Sequence, residues 1–420
     1  RVEDIRRAAE WMAARLRELG MQEVRVYPTS RHPVVYGEWL GAPGAPTVLL
    51  YGHYDVQPAD PLDLWETGPF EPIERGEDLF ARGASDMKGQ VVAVMKAIEA
   101  LVKTGGLPVN VKWLLEGEEE IGSPSLDAFL AEHKDLLTAD VALNPDAGLL
   151  GKDWPTITYG LRGLAYFELR VYGPAHDLHS GLYGGIIHNP AIALAEIIAG
   201  MHDEQGRVTL PGFYDRVRPL SDEERAEMGR LPADDAHYLA QTGSPALRCE
   251  AGYSAGECVG ARPTLDVNGL LSGFTGAGSK TVIPAWAMAK ISTRLVPDQE
   301  PDEIHGMLLR YLEERAPGDI RWEVIPMHGG APSISDREGP AVQAMAKALE
   351  TVWGTRPFFR REGGSIPVVG KMQNVLGIES VVGGFGLPDD NVHAPNEKQH
   401  LPTWYRGIEA LVHFLLNMKP

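Results

Sequence analysis

Apolar positions along the chain switch repeatedly between a helical and a strand-like spacing. Residues 4–19 carry apolar side chains at the spacing of an amphipathic helix, which the following Gly20 would end. Short runs rich in Val, Leu and Tyr come next, and then a second helical stretch over 87–103. The run VNVKWLLEGEEE leads into a third helical stretch over 123–133. Strands that alternate with helices predict an α/β layer around a largely parallel sheet.

This alternation is interrupted once. From about residue 163 the run LAYFELRVYG alternates apolar and polar positions, as the strands of half-exposed antiparallel sheets do. One more helical stretch, a long polar stretch and two strand-like runs follow before the α/β pattern returns at about residue 333. We therefore predict an α/β domain with a mainly parallel sheet over 1–162 and 333–420, interrupted by an α+β domain over 163–332.

Composition and charge exclude several classes of protein. Of the 420 residues, 44% are hydrophobic and 23% are charged, which excludes global disorder. The 39 basic and 58 acidic residues give a net charge of −19, which disfavours binding to nucleic acids or anionic membranes. No apolar run reaches the ~18 residues of a membrane span, and the charged start is unlike a signal peptide, so we expect a cytoplasmic protein. Two cysteines, Cys249 and Cys258, are too few for a disulfide framework, and we expect buried, reduced thiols.

Polar side chains that could bind metal follow several of the apolar strands. His53 and Asp55 stand in YGHYDV, where the carboxylate could fix the tautomer of a metal-binding imidazole. Asp86 stands in GASDMKG just before a helix, where a helix N-cap is the simpler interpretation. Glu118–Glu120 follow the run WLL, where a solvated turn is the simpler interpretation and a divalent cation the alternative. Because adjacent Glu side chains point in different directions, one could bind metal while its neighbour moves protons.

Two further residues complete a candidate set of metal ligands. Asp146 in NPDAG follows a short strand, and His393 in DDNVHAPNE follows the run VVGGFG. Each alone is an ordinary polar loop residue. Ligands of α/β sheets bind beyond the carboxyl ends of the strands, so these residues could meet His53, Asp86 and Glu120. Two His and three carboxylates suit two borderline cations that share a bridging carboxylate, as in a cocatalytic hydrolase.

Two other motifs carry less weight. AGYSAGE places Ser254 in the G-x-S-x-G pattern of a nucleophile elbow, which needs a buried strand before it and a helix after it. Arg, Glu and Pro stand where those elements should be, so the context disfavours a serine hydrolase. GFTGAGSKT resembles a phosphate-binding loop, but Lys280 falls one residue late for that pattern.

In combination the motifs resemble those of the cocatalytic zinc aminopeptidases, carboxypeptidases and deacylases. That family includes glutamate carboxypeptidases, aminoacylases and succinyl-diaminopimelate desuccinylases, and the resemblance extends over essentially the whole chain. It is strongest to the carnosinase-like cytosolic non-specific dipeptidases, on the strings EGEEEIGS, DLHSGLYGG, GSKTVIP, STRLVP, REGGSIP and NEK. NPDAG departs from the family's S-D-T-G-like form but keeps Asp146, and the polar segment 207–263 carries no string of the family.

The resemblance implies a role for seven residues of the α/β domain: five bind metal, one orients a ligand and one transfers protons. Two Zn²⁺ per subunit, with Mn²⁺ or Co²⁺ as substitutes, would be bound by His53 and Asp146 at one position and by Glu120 and His393 at the other. Asp86 would bridge the two, and its peptide bond to Met87 is often cis in the family. Asp55 would orient His53, and Glu119 would be the general base.

The interrupting domain, as a lid and dimerisation domain, would supply His179, Thr281 and Arg294, whereas Ser365 lies in the predicted α/β segment 333–420. His179 of DLHSG would reach the active site of the partner subunit in a homodimer. Thr281 and Arg294 would bind the carboxylate of the substrate, and Ser365 would line the pocket. Without the family context, an ion pair on the strand surface would be the simpler interpretation of Arg294.

The function implied is a di-zinc metallopeptidase that hydrolyses dipeptides with a free C-terminal carboxylate. A water bridging two cations has its pKa pulled from ~15.7 towards ~7, so hydroxide would be available at neutral pH. An N-acyl-amino-acid deacylase or a carboxypeptidase is open within the same chemistry. Outside it stand a serine hydrolase using Ser254 and a catalytically silent scaffold, although no metal ligand or base is missing. The expected partners are a small peptide or N-acyl amino acid and a second copy of the chain, with neither nucleic acid nor membrane.

Overall fold

A computed structural model describes residues 2–419, and its strands form largely where the apolar runs predict them. In chain order the strands are β1 (Arg25–Tyr27), β2 (Val34–Trp39), β3 (Thr47–His53), β4 (Ile73–Arg75), β5 (Asp78–Phe80), β6 (Asn110–Glu116), β7 (Val141–Asn144), β8 (Thr156–Leu161), β9 (Gly163–Tyr172), β10 (Leu178–His179), β11 (Thr264–Ser272), β12 (Val282–Ile283), β13 (Trp286–Leu295), β14 (Arg321–Gly330), β15 (Ser333–Ile334), β16 (Phe358–Glu362), β17 (Ser380–Val382) and β18 (Lys398–His400).

The α-helices include each of the stretches with helical spacing. They are α1 (Val2–Glu18), α2 (Lys88–Thr104), α3 (Leu126–Glu132), α4 (Ser180–Tyr183), α5 (Pro190–Ala199), α6 (Asp222–Met228), α7 (Asp235–Thr242), α8 (Ala255–Ala261), α9 (Pro301–Arg315), α10 (Pro340–Trp353), α11 (Pro367–Lys371) and α12 (Leu401–Asn417). None of the helices within residues 2–419 is long and apolar enough to cross a bilayer.

The chain divides into two compact units. Unit 1 holds the residues up to Tyr159, Ile334–Arg360, and the residues from Ile366 onwards. Unit 2 holds Gly160–Ser333 and Arg361–Ser365.

The principal sheet of unit 1 is parallel at its centre and antiparallel towards its edges. Its strand order is β1-β2-β6-β3-β7-β17-β8-β15, with β16 also paired to β8. The neighbours β6/β3, β3/β7 and β7/β17 are parallel, whereas β1/β2, β2/β6 and β17/β8 are antiparallel. Strands β3 and β6 are buried along nearly their whole length, as continuous apolar runs in a covered parallel sheet should be. The predicted mainly parallel sheet therefore describes the centre, and the complete sheet is mixed.

The carboxyl ends of the central parallel strands all lie on the same side of the sheet. His53 is the last residue of β3, and Glu116 is the last residue of β6. The short 3₁₀ turn Glu119–Ile121 follows β6, and Asp146 comes two residues after β7. Helix α2 packs on β3 and on α12, which places the chain just before α2 close to these carboxyl ends. The sheet topology therefore gathers side chains that are distant in the sequence.

Unit 2 is built on a four-stranded antiparallel sheet with the order β11-β13-β9-β14. Helices α5 and α9 pack on this sheet, and apolar side chains of both helices join its core. Strand β11 and helix α9 were not predicted from the sequence. Their apolar residues are interspersed with Asn, Asp, Gly and Glu, which obscures the periodicity.

The polar segment of unit 2 also contains more structure than its composition suggested. Helices α6 and α8 each begin with a complete capping box, Ser221 with Glu224 and Ser254 with Glu257. In such a box the Ser side chain accepts from the backbone N–H three residues later, and the Glu accepts from the Ser N–H. The S-x-x-E spacing was the signal that could have revealed both helices. Cys249 and Cys258 are both free and half-buried rather than buried.

Candidate metal centre

A first group of candidate ligands surrounds the carboxyl end of β3. His53 is completely buried, and its Nε2 lies 3.0 Å from Oδ1 of Asp86 and 3.9 Å from Oδ2 of Asp146. The ligand atoms of these three residues all lie within 4.8 Å of one another. The loop before α2 and the end of β7 thus meet the end of β3, as strand-end convergence predicts.

A second group shares Asp86 with the first. The Nε2 atom of His393 lies 2.8 Å from Oδ2 of Asp86 and 3.3 Å from Oε2 of Glu120. Their ligand atoms also lie within 4.8 Å of one another. The two Asp86 oxygens therefore face different groups, which is the disposition that a carboxylate bridging two cations requires.

Both of the simpler sequence interpretations at these positions are wrong. Helix α2 has Met87 as its N-cap residue and no side-chain capping bond, because Asp86 instead contacts the two histidines. The peptide bond between Asp86 and Met87 is cis. The Glu run is not a solvated turn either. Glu118 is 2% exposed and accepts hydrogen bonds from Ser125 and the backbone N–H of His32.

Two neighbouring residues contact the candidate ligands. On the side of the His53 ring away from Asp86, Nδ1 lies 3.2 Å from the carbonyl oxygen of Asp55 and 3.3 Å from its Oδ1. The Oδ2 atom of Asp55 accepts from the N–H of Glu120 at 3.1 Å. Gln57 donates its side-chain amide to Oε2 of Glu120 at 2.8 Å and its backbone N–H to Oε1 at 3.1 Å. Sequence analysis missed Gln57, although it follows the same strand end two residues after Asp55.

The electrostatics of the two groups fit divalent cations. Burial, only partly offset by the charge of His53, raises the pKa of Asp146 to about 8. Burial likewise raises the pKa of Glu119 to about 7, with repulsion from Glu120 adding to it. Burial would also raise the pKa of Asp86, but its hydrogen bonds to His393 and His53 lower it instead.

The histidines respond in the opposite direction. Hydrogen bonds to Asp86 and Glu120 raise the pKa of His393 to about 10. Burial alone would lower the pKa of His53, but bonds to Asp55 and Asp86 raise it well above its usual value. Protons on these residues thus balance the crowded carboxylates, and cations could replace those protons. A set of two imidazole and three carboxylate ligands suits Zn²⁺, Mn²⁺ or Co²⁺.

The structure places the remaining candidate residues in two places within unit 2. His179 is exposed, ends β10, and accepts a hydrogen bond at Nδ1 from the N–H of Gly181 at 2.9 Å. Thr281 is adjacent, because its carbonyl accepts from the N–H of Ser180 at 3.1 Å. Arg294, in β13, donates from Nη1 to the hydroxyl of Ser365 at 2.9 Å.

Arg162 is a further cationic residue that sequence analysis missed. The Ser365 hydroxyl accepts a hydrogen bond from Arg294 and donates one to the backbone carbonyl of Arg162. Burial, together with the charge of Arg294, lowers the pKa of Arg162 to about 10. Within residues 2–419 no carboxylate lies within ion-pair distance of either guanidinium, so the simpler alternative for Arg294, a surface ion pair, is wrong. No sequence motif marks such an unpaired cation, since only the fold shows which partners are absent.

Ser254 has a structural role. Contrary to the sequence expectation a helix, α8, does follow it, and the Ser254 hydroxyl accepts from the N–H of Glu257 as the N-cap. No strand comes directly before Ser254, since the nearest preceding element along the chain is helix α7. A nucleophile elbow is therefore absent from this segment.

Comparison with known proteins gives consistent results. Residues 49–417 match Peptidase family M20/M25/M40. The Cys-Gly metallodipeptidase DUG1 of Candida albicans is 36% identical over 412 residues, which cover 95% of this chain and 84% of that relative. The human Beta-Ala-His dipeptidase is 32% identical over 392 residues, which cover 92% of this chain and 77% of that relative.

A solved structure supports the same relationship. The M20 family metallo-carboxypeptidase Sso-CP2 from Sulfolobus solfataricus has a TM-score of 0.87 at 35% identity, covering 99% of this chain and 94% of its own. The resemblance noted in the sequence is thereby confirmed, and so is the predicted class of an α/β domain with a separate second domain.

Proposed function

The chain belongs to peptidase family M20/M25/M40, and on this basis we propose that it is a di-zinc dipeptidase. The observation that carries the proposal is the sharing of Asp86 by two groups of ligand atoms. His53 and Asp146 would hold one cation, Glu120 and His393 the other, and Asp86 would bridge them. The dipeptidase assignment is supported by two relatives, the Cys-Gly and Beta-Ala-His dipeptidases.

Glu119 is the proposed general base. When bound, the two cations would lower the pKa of a water and polarise the carbonyl of the scissile bond. Glu119 would accept a proton from the attacking water and deliver it to the leaving amine. Its raised pKa, about 7 as a result of burial, suits a group that must both accept and release a proton near neutral pH. Asp55 would hold the His53 ring in position.

Unit 2 is proposed to bind the rest of the substrate. Arg294 would form a bidentate pair with the free carboxylate, with Thr281 and Ser365 as further contacts. Within residues 2–419 neither Arg294 nor the neighbouring Arg162 forms an ion pair, which supports this assignment, because two partly buried cations favour an anionic ligand. His179 would donate a hydrogen bond to the developing oxyanion in the partner subunit of a homodimer.

A carboxypeptidase is the second candidate, since Sso-CP2 is described as one. Both enzymes would bind a free C-terminal carboxylate. Only a dipeptidase would also depend on a free amino group on the residue that precedes the scissile bond. Hydrolysis of one dipeptide should therefore be compared with that of its N-acetyl derivative and of a tetrapeptide with the same C-terminal residue. Preference for the free dipeptide by ~10-fold or more supports the proposal. Equal or faster cleavage of the acetylated or longer substrate indicates a deacylase or carboxypeptidase.

A further inference from the structure

Glu397 is a buried carboxylate in the loop between His393 and β18. Its Oε1 accepts from the backbone N–H groups of Ser85 and Asp86, both at 3.0 Å. Both of its oxygens lie 3.1 Å from the N–H of Gly83. One side chain thus binds three backbone donors of the loop that carries Asp86.

Arg82 supplies the charge that makes this burial tolerable. Its Nη1 donates to Oε2 of Glu397 at 2.7 Å, and the two side chains are 1% and 0% exposed. A buried carboxylate is costly unless it is paired and its oxygens accept hydrogen bonds, and Glu397 satisfies both conditions.

A hydrogen bond on the other side of His393 also joins the two loops. The hydroxyl of Ser85 donates to Oδ2 of Asp390 at 2.9 Å, and Asp390 is also fully buried. Asp390 and Glu397 stand on either side of His393 in the chain. The loop that carries His393 is therefore attached to the Asp86 loop both before and after the histidine.

We propose that Glu397 is a positioning residue that sets the separation and orientation of Asp86 and His393 for the two cations. The inference rests on the proposed metal centre. Each oxygen of Asp86 faces a different histidine, at 3.0 and 2.8 Å, so a small rotation of its loop would weaken one of the two groups. Both oxygens of Glu397 face donors, so a side chain with only one acceptor oxygen would leave either Arg82 or the N–H groups of Ser85 and Asp86 without a partner. The loop would rearrange to satisfy the unpaired groups.

The test compares Glu397→Gln with a matched control in unit 2. Glu250 is a similarly buried carboxylate whose ion pairs are with Arg262, at 2.8 and 2.9 Å, and with Arg207, at 3.3 Å, all within unit 2. Glu250→Gln therefore reproduces the loss of a buried ion pair without affecting the ligands. Zn²⁺ affinity and stoichiometry are measured by competition with a chromophoric chelator, alongside thermal unfolding, kcat and KM.

We expect the wild type and Glu250→Gln to bind two Zn²⁺ with equal affinity. Glu397→Gln should bind at least one ion ~10–100-fold more weakly, the usual effect of losing a residue that orients metal ligands. Its kcat should be lower than that of the wild type when Zn²⁺ just saturates the wild type, and it should recover in part when more Zn²⁺ is added. Its KM should stay within about twofold of the wild-type value.

Unchanged Zn²⁺ affinity and kcat in Glu397→Gln, with a loss of Tm like that of Glu250→Gln, would overturn the inference and leave the metal centre intact. If the wild type itself binds fewer than two ions, the proposed centre fails and the inference fails with it. If Glu397→Gln does not fold, the same criteria apply to Glu397→Asp. That variant keeps the charge but is one methylene too short to span Arg82 and the three N–H groups.

Discussion

The Nε2 atom of His393 lies 2.8 Å from Oδ2 of Asp86, across 307 residues of chain. The contact brings together a loop near the end of the chain and the loop that precedes α2. It makes Asp86 common to both groups of ligand atoms. The consequences of this shared carboxylate can be tested directly.

Removal of metal should abolish activity. Treatment with a chelator is expected to inactivate the protein, and Zn²⁺, Mn²⁺ or Co²⁺ should restore it, with stoichiometry followed by elemental analysis. Asp86→Ala should lose both ions, because each group of ligands contains that carboxylate, whereas Asp146→Ala should lose one first. Full activity in the presence of excess chelator would contradict the proposed metal centre.

Metal affinity should increase with pH. In the metal-free chain, hydrogen bonds raise the pKa of His393 to about 10, and burial raises the pKa of Asp146 to about 8. Both groups hold protons at pH 6 that a cation must displace, so affinity should rise by about tenfold per pH unit for each proton released. Titrations at pH 6, 7 and 8, with proton release measured in buffers of different ionisation enthalpy, would check this. An affinity independent of pH would contradict it.

Glu119→Gln should keep metal and lose catalysis. The amide preserves the shape of the side chain but cannot take a proton, so kcat should fall by ~10²–10⁴-fold. Bound metal is measured on the same sample. Ser254→Ala is the control, and it should retain activity because Ser254 only caps α8. A Glu119→Gln variant with near wild-type kcat would refute the base, and an inactive Ser254→Ala would revive the serine hydrolase.

Amidation of the substrate's C-terminus should weaken hydrolysis strongly. Leaving one member of a buried charge pair without its partner costs about 2–5 kcal/mol. For the amidated dipeptide, kcat/KM should therefore fall by the factor that corresponds to this free energy. Arg294→Ala should impair free dipeptides strongly and amidated ones little. Arg170→Ala serves as control, because this arginine of the same sheet is paired with Glu168. Equal turnover of free and amidated dipeptides by the wild type would refute the proposed carboxylate contact.

Hybrid dimers should test the role of His179. If His179 acts in the site of the partner subunit, mixing His179→Ala with Glu119→Gln protomers should restore part of the activity. One site of each mixed dimer would then contain both intact residues. Subunit exchange is verified with differently tagged protomers. Absence of recovery despite verified exchange would exclude action between subunits.

The sequence alone predicted the α/β class and the five candidate metal ligands that the structure brings together in two groups. Burial in a parallel sheet demands long apolar runs, and polar residues at or just beyond the carboxyl ends of such runs, His53 and Asp146 among them, therefore come together along the sheet. Short helices in the polar segment escaped notice because their signal lies in the capping boxes of Ser221 and Ser254 rather than in apolar periodicity.

Only the tertiary structure decided which groups meet. Asp86 is compatible with an N-cap in the sequence, and its contact with two histidines depends on how β3 and the loop after β17 are placed by the sheet. In the sequence Glu397 and Arg82 look like ordinary charged residues. Only the structure shows that both are buried and that each neutralises the charge of the other. Arg162 and Arg294 are recognised as unpaired only because no carboxylate of the described chain reaches them. Local propensity acts over a few residues, whereas charge compensation and ligand geometry depend on distances between segments hundreds of residues apart.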